Sequence, residues 1–408
     1  NLSPTTSITN KMLDETMRFV CLLLAVFITR ILSCVIKMEE RNTPTLEGAS
    51  ATNHSEWPGS DLIDSTTSAV FWQTLVTLSL NEYVPPVLII LGTILNALTI
   101  IVVLVRKFGK LSTRTLLVTL ALTDTAALWA GLLRMWIFVA FGFDIRLLTP
   151  RSCPLHKFCT YFFLDLASWN VMLITLERWI SVSFPLQAKL VCTGKWTSVA
   201  MSVVFFILFG LNAHILFFHQ IQDGDCYETT EAYYNFFMEG FYWIDFFAYS
   251  GIPFLVIASC NCLILYEVIR GNMKRKNLQN TGNAARQATQ MTSMTYMLIT
   301  VSVTFLLLTL PISVYFIVFA TLPEVLSDQQ DRNMTLFYTI TILLSYVNNT
   351  INFLLYCVSG TQFRHEVHAL FRGLKPHLKR NQDTLGSQTL SLYSNSRTSV
   401  TQISRNTS

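Results

Sequence analysis

The amino-acid sequence predicts an all-α membrane protein, a seven-transmembrane helix bundle with a short amphipathic surface helix after helix 7. Three observations carry this. Hydrophobic residues make up 51% of the 408 and charged residues only 13%, about half the charge of an average soluble domain. That balance excludes a soluble enzyme and a disordered chain alike. Seven separate stretches supply the roughly 20 mostly apolar residues that a helix needs to cross a bilayer. Their connections are short, which favours one bundle of antiparallel neighbours.

Along the chain, Val84–Val105 and Trp196–Phe218 contain no Asp, Glu, Lys or Arg. Leu116–Leu133 contains Asp124, Phe158–Leu176 contains Asp165 and Phe241–Tyr266 contains Asp245. Met291–Pro323 and Asn333–Phe363 are charge-free and longer than a span requires, so their ends should project into water or turn along the surface. Residues 81–374 thus read as the transmembrane domain. Before it, residues 1–80 read as an outer tail, polar and rich in Ser, Thr and acid over 37–80. Within that tail, 17–36 reads as a signal peptide, with an eighth span as the alternative. Arg30 near its middle would cost a span about 2.5–3.5 kcal/mol. Residues 375–408 read as a disordered tail, with twelve Ser or Thr among 34 residues.

Lys and Arg orient the bundle. Arg106, Lys107, Lys110 and Arg114 follow helix 1; Lys189 and Lys195 follow helix 3; Arg270, Lys274, Arg275 and Lys276 follow helix 5. The alternate loops are acidic. His219–Gly240 holds five acids without a Lys or Arg, and Glu324, Asp328 and Asp331 join helices 6 and 7. The amino terminus is expected outside, the carboxyl terminus in the cytoplasm, and the lipid bilayer around the bundle. Asn53 and Asn333 head outer glycosylation sequons, whereas the match at Asn348-Asn349-Thr350 lies inside helix 7. The nine cysteines show neither zinc spacing nor His-rich company. A net charge of +4 is too small to suggest nucleic acid. No internal repeat is visible, which argues against a transporter built from duplicated halves.

Particular residues narrow the class. Helix 1 carries Gly92-Thr-Ile-Leu-Asn96, and helix 2 carries Leu120-Ala-Leu-Thr-Asp124. Helix 3 opens at Cys153 and closes at Glu177-Arg178-Trp179, followed by Pro185-Leu186. Helix 5 has Pro253, helix 6 runs Phe305 to Pro311, and helix 7 has Asn352-Phe-Leu-Leu-Tyr356 with Phe363 beyond. In order and spacing these resemble the rhodopsin-like (class A) G-protein-coupled receptors over roughly residues 80–375.

The resemblance implies a plasma-membrane receptor that exchanges conformations rather than catalysing a reaction. It implies a polar core of Asp124, Asn96, Asn348 and Asn352 that binds a sodium ion at rest. The usual helix 3 serine is Ala167 here, with Ser168 beside it. Glu177, Arg178, Trp179, Pro185 and Leu186 are the implied contact with a heterotrimeric G protein, and Glu177 is the resting partner of Arg178. Trp179 stands where Tyr is commonest, and Met291 stands where some relatives clamp the arginine with an acid. Pro253 and Pro311 are implied hinges, with Phe305 and Tyr356 the retained parts of the activation relay. Thr309 and Phe353 replace the usual aromatic switch and helix 7 proline, as in some invertebrate neuropeptide receptors resembling FMRFamide receptors. Cys153 and Cys226 are the two cysteines placed for an extracellular bridge. Ser394, Ser396 and Ser399 match a spacing that arrestins read.

Three ligand classes separate by residue. A retinal Schiff base needs a helix 7 lysine, and Tyr346 holds that place. Amine receptors use a helix 3 aspartate where Thr160 stands. A peptide fits best, cationic because of the acidic rim, with Tyr161, Tyr315, Trp136 and Tyr242 as aromatic contacts. Arg134, His156 and Asp245 are the expected polar anchors, with another small-molecule ligand as the alternative.

Overall fold

The computed structural model describes residues 60–276, 283–321 and 328–372. The candidate signal segment 17–36, Asn53 and the serine-rich tail 375–408 lie outside them. Seven helices are long and apolar enough to cross a membrane. They are α1 (Ser60–Val105), α2 (Leu111–Phe141), α3 (Ser152–Ser183) and α4 (Gly194–Asn212). They continue with α5 (Glu231–Arg270), α6 (Asn283–Thr321) and α7 (Asp328–Ser359). A surface helix, α8, covers 361–372.

Two expected boundaries move. Helix α1 begins at Ser60, so residues 60–80, read as tail, are helical and run on through Pro85 and Pro86. This stretch holds no Gly and alternates Leu, Ile, Val and Phe with polar residues, and α7 supports it. The Gln73 amide donates to Asn333 Oδ1 at 2.9 Å, and Gln329 donates to both. The second change is in His219–Gly240, where most of the expected loop is folded. His219–Gln222 and Asp225–Glu228 pair as an antiparallel hairpin, and α5 starts at Glu231. Asp223 and Gly224 make the turn at φ 50° and 81°, the left-handed pair that a two-residue hairpin favours.

Burial ranks the spans. The apolar window of α7 is 83% buried and that of α4 only 22%. Helix α7 is therefore the most enclosed span, and α4 the most exposed. On α4, Phe206 and Ile207 are exposed, a face that suits lipid and would be a liability in water. One core cluster joins α1, α2, α3, α5, α6 and α7. A second, aromatic one packs Phe158 and Phe162 of α3 against α4 and the start of α5.

Helix α5 is irregular for a reason written in its sequence. Pro253 has no N–H, so the carbonyl four residues earlier loses its helical donor. That carbonyl, Tyr249 O, accepts instead from Ser168 Oγ of α3 at 2.6 Å, and Trp169 Nε1 donates to Ala248 O at 2.9 Å. The turn Phe247–Gly251 widens to a π-helix, and so does Phe236–Phe241. Each such turn rotates the rest of the helix relative to a regular α-helical course. Tyr242, Asp245 and Tyr249, spaced three and four residues apart, share the inner face.

At the other end, α7 stops at Ser359 and the chain turns through Gly360 into α8, as the excess length suggested. A Cβ on Gly360 would lie 2.6 Å from Tyr356 O and 2.7 Å from Met297 Sδ, so only glycine fits. Phe363 is fully buried against Phe108, Phe353 and Tyr356, and Arg106 binds Glu366 at 2.8 Å. Phe353, where the family has proline, is part of this anchor.

Candidate functional site

Three polar assemblies lie along the bundle axis. At the end where α2 meets α3, Cys153 and Cys226 are bonded, tying the hairpin to α3 across 73 residues. Around them lies a charge network. Arg134 grips Asp144 in a bidentate pair, with Nη2 to Oδ2 at 2.7 Å. Arg146 contacts both Asp144 and Asp225 at 2.8 Å. Lys157 and His219 both meet Glu228 Oε1, at 3.2 and 3.1 Å. Burial alone would raise the Asp144 carboxyl, but the two arginines outweigh it and hold it well below the usual carboxylate range. Burial pushes His219 down to about 4, helped by the Lys157 charge.

This network changes two expectations. Asp225 and Glu228 are neutralised by Arg146 and Lys157, so the rim presents less free negative charge than the loop sequence implied. Arg134 is occupied by Asp144 and stacks over Phe138. Neither it nor His156, whose Nε2 is buried without a partner, lines the cavity below. A basic side chain spent on a neighbouring acid is invisible to a reading that scores loops one at a time.

Below the hairpin, α3, α5, α6 and α7 enclose a cavity of about 300 Å³. Thr160, Tyr161, Asp245 and Tyr315 line it, as expected for ligand contacts, and so does Tyr242. Trp136 packs on Phe141 instead. Asp165 also lines it, which the sequence reading missed. Its position inside a span was the available signal, because an intramembrane carboxylate is expensive and rarely idle. Tyr346 lines the cavity too and packs on α2 at Gly131, where a Cβ would sit 1.7 Å from its hydroxyl.

Midway down, Asp124 is fully buried. It accepts from Asn349 Nδ2 at 2.8 Å and Asn352 Nδ2 at 2.7 Å. Asn96 Nδ2 donates to the Asn349 carbonyl at 3.1 Å. Asn349 thus takes the position expected of Asn348. Neighbouring residues on a helix differ by about 100° in direction, and either asparagine satisfies the motif's composition. The amide oxygens of Asn96, Asn348 and Asn352 are buried without partners. Hard oxygen donors beside a carboxylate fit a sodium ion, although Ser168 is turned away to Tyr249.

At the far end Arg178 Nη2 meets Glu177 Oε2 at 3.0 Å and contacts the Thr113 hydroxyl. Glu177 also accepts from Ser112 Oγ at 2.5 Å and Thr113 Oγ1 at 3.0 Å. All four are buried. Nearby, Trp179 packs edge-on to Phe184, Pro185 opens the short helix Pro185–Val191, and Leu186 stands 80% exposed. Phe305 is buried and its carbonyl accepts from Thr309 Oγ1 at 2.7 Å.

A seven-helix bundle with a bridged hairpin over a cavity and a buried Glu-Arg pair at the opposite end defines a class, the seven-transmembrane receptors. Residues 95–356 match the family described as 7 transmembrane receptor (rhodopsin family), and the chain belongs to it. It is similar to the FMRFamide receptor of Drosophila melanogaster, at 25% identity over 73% of this chain and 54% of that protein. It is also similar to the thyrotropin-releasing hormone receptor of Gallus gallus, at 25% identity over 72% of this chain and 78% of the other. The blue-sensitive opsin of Oryzias latipes is 26% identical over 50% of this chain and 59% of its own. The chain therefore spans little more than half the length of the Drosophila and Oryzias relatives. The family is one of receptors rather than enzymes. Membership of the family and the seven spans make it a multi-pass membrane protein.

Proposed function

We propose that this protein is a neuropeptide receptor that transmits binding at the disulfide-bridged end to a heterotrimeric G protein at the Arg178 end. The observation that carries the reading is the cavity between α3, α5, α6 and α7. It is walled by tyrosines, contains two aspartates and includes no Lys, Arg or His among its lining residues. Similarity to receptors named for FMRFamide and for thyrotropin-releasing hormone supports a peptide. Tyr346 in place of a helix 7 lysine speaks against retinal. The acids favour a cationic ligand, now on the strength of the cavity rather than the rim.

The Lys and Arg distribution favours the disulfide end outside and the carboxyl terminus in the cytoplasm. Agonist binding shifts the population toward a state in which Arg178 leaves Glu177. The exposed Leu186 and the freed Arg178 then receive the G protein, while Pro253 and Pro311 provide the hinges. A sodium ion at Asp124 with the oxygens of Asn96 and Asn352 would hold the resting state. Phosphorylation at Ser394, Ser396 and Ser399 would recruit arrestin. Asn53 and Asn333 are the candidate glycan sites on the outer side.

A second reading has one observation in its favour. About 300 Å³ is at the lower end for a ligand pocket, which suits a small cation or a single peptide end. A peptide-library screen with calcium and cAMP readouts tests both. Activation by a peptide whose free terminal residue analogue is inactive supports the first, and full activation by a small amine supports the second.

A further inference from the structure

We propose that Asp165 and Asp245 together form a guanidinium-recognition site within the cavity. The proposal rests on the reading of the cavity as the ligand site and specifies what that site selects. The two carboxylates come from different helices, α3 and α5, and both line one enclosed space. They are not equivalent. Asp165 Oδ2 accepts from Asn212 Nδ2 of α4 at 2.9 Å, and Asn212 is itself fully buried. Asp245 is only 6% exposed, yet no hydrogen bond or ion pair reaches it among the described residues. A buried carboxylate without a donor is costly, and here nothing within the described residues supplies one.

Asp245 opens onto the cavity, so its partner can be a group that enters from outside, and the two acids set the donors such a group needs. One carboxylate held by Asn212 and one left open both offer oxygens to the cavity. Guanidinium carries five N–H donors fixed in a plane, enough to serve both acids at once. An ammonium ion carries three donors on one compact, strongly hydrated point, and more of its hydration is lost on entry. The walls point the same way. Tyr161, Tyr242, Tyr249 and Tyr315 surround the acids, and aromatic faces attract a guanidinium plane. Tyr242, Asp245 and Tyr249, at i, i+3 and i+7, present one side of α5 to the cavity.

The test uses the full-length receptor purified in detergent, with thermal unfolding as readout. The probes, at millimolar concentration, are L-argininamide, L-lysinamide and L-citrullinamide; all share the α-amine, and citrulline's side chain is the neutral isostere. Argininamide should raise the unfolding temperature, with apparent affinity about tenfold above lysinamide, and citrullinamide should leave it unchanged. Asp245→Asn should abolish the argininamide shift. Asp165→Asn should do the same, and if it disturbs folding through Asn212, the Asp245 variant alone decides. Equal shifts with all three probes, no shift with any, or an argininamide shift surviving Asp245→Asn would overturn the proposal. Ile342→Trp, which fills the cavity from α7, separates this from the underlying reading. If the filled cavity blocks probe binding but arginine is not preferred, the cavity remains the ligand site and the guanidinium claim fails. If probes bind the filled receptor unchanged, both fail.

Discussion

Removing the Thr113 hydroxyl should make the receptor constitutively active. Thr113 is fully buried on α2 and touches both members of the pair that ends α3, Glu177 and Arg178. The sequence places Met291 where some relatives carry an acid on helix 6, so that position offers Arg178 no acidic clamp and a leaky resting state is expected. The hydroxyls of Ser112 and Thr113 offer a substitute from α2. Thr113→Val keeps the side-chain shape and deletes the polar contact. A hydrogen bond to a charged group contributes about 1.5–3 kcal/mol, which multiplies the active-to-resting ratio by roughly 10–140 if the contact exists only at rest. Starting from an active fraction of about 1%, the lower figure already gives about 10%. The assay is basal nucleotide exchange on a G protein, normalised to surface expression, for Thr113→Val, Ser112→Ala and the double variant. Wild-type basal exchange in the double variant at equal expression would refute the reasoning, and the resting state would then be held elsewhere.

Four further outcomes are expected. Cys153→Ser or Cys226→Ser should cut surface expression and ligand binding, since losing a native bridge costs about 2–5 kcal/mol in small secreted domains; peptide mapping that finds both thiols free in the native protein would end this claim. Arg178→Ala should leave ligand binding intact and abolish G-protein activation, and normal exchange would reduce it to an interface anchor. Gly131→Ala should destabilise by about 1–3 kcal/mol through overpacking on Tyr346, although alanine is intrinsically the better helix former; an unchanged or higher unfolding temperature would refute the clash. Because the arginines hold the Asp144 carboxyl below its ordinary value, its stabilisation is complete above about pH 4 and is lost as pH falls toward the lower folded-state value. Asp144→Asn should therefore lower the unfolding temperature at neutral pH and narrow its gap to wild type in acid.

The spans, their order and the Asp124 and Arg178 positions were legible because each rests on a local property. A run of apolar residues is costly in water wherever it lies in the chain, and a charge inside such a run is costly in lipid. The ends of the spans were less legible. Ser60–Leu80 is too polar for a hydropathy window but helical, with Gln73 bonded to α7, and Glu231–Gly240 continues α5 although its acids read as loop. The hairpin had a local signal, Asp223-Gly224 between short runs, that the charge reading passed over.

Hydropathy and motif spacing act along one dimension, and they suffice for the membrane class, the seven spans, the motif set and the two cysteines that pair. Which side chains meet was decided in three dimensions alone. Packing chose Asn349 over Asn348 for Asp124, matched Arg146 and Lys157 to acids of the hairpin, and brought Asp165 and Asp245 to one cavity. Those outcomes depend on the rotation of each helix about its axis. Turns of about 100° per residue and the wider π turns beside Pro253 set that rotation, and packing against neighbours holds it.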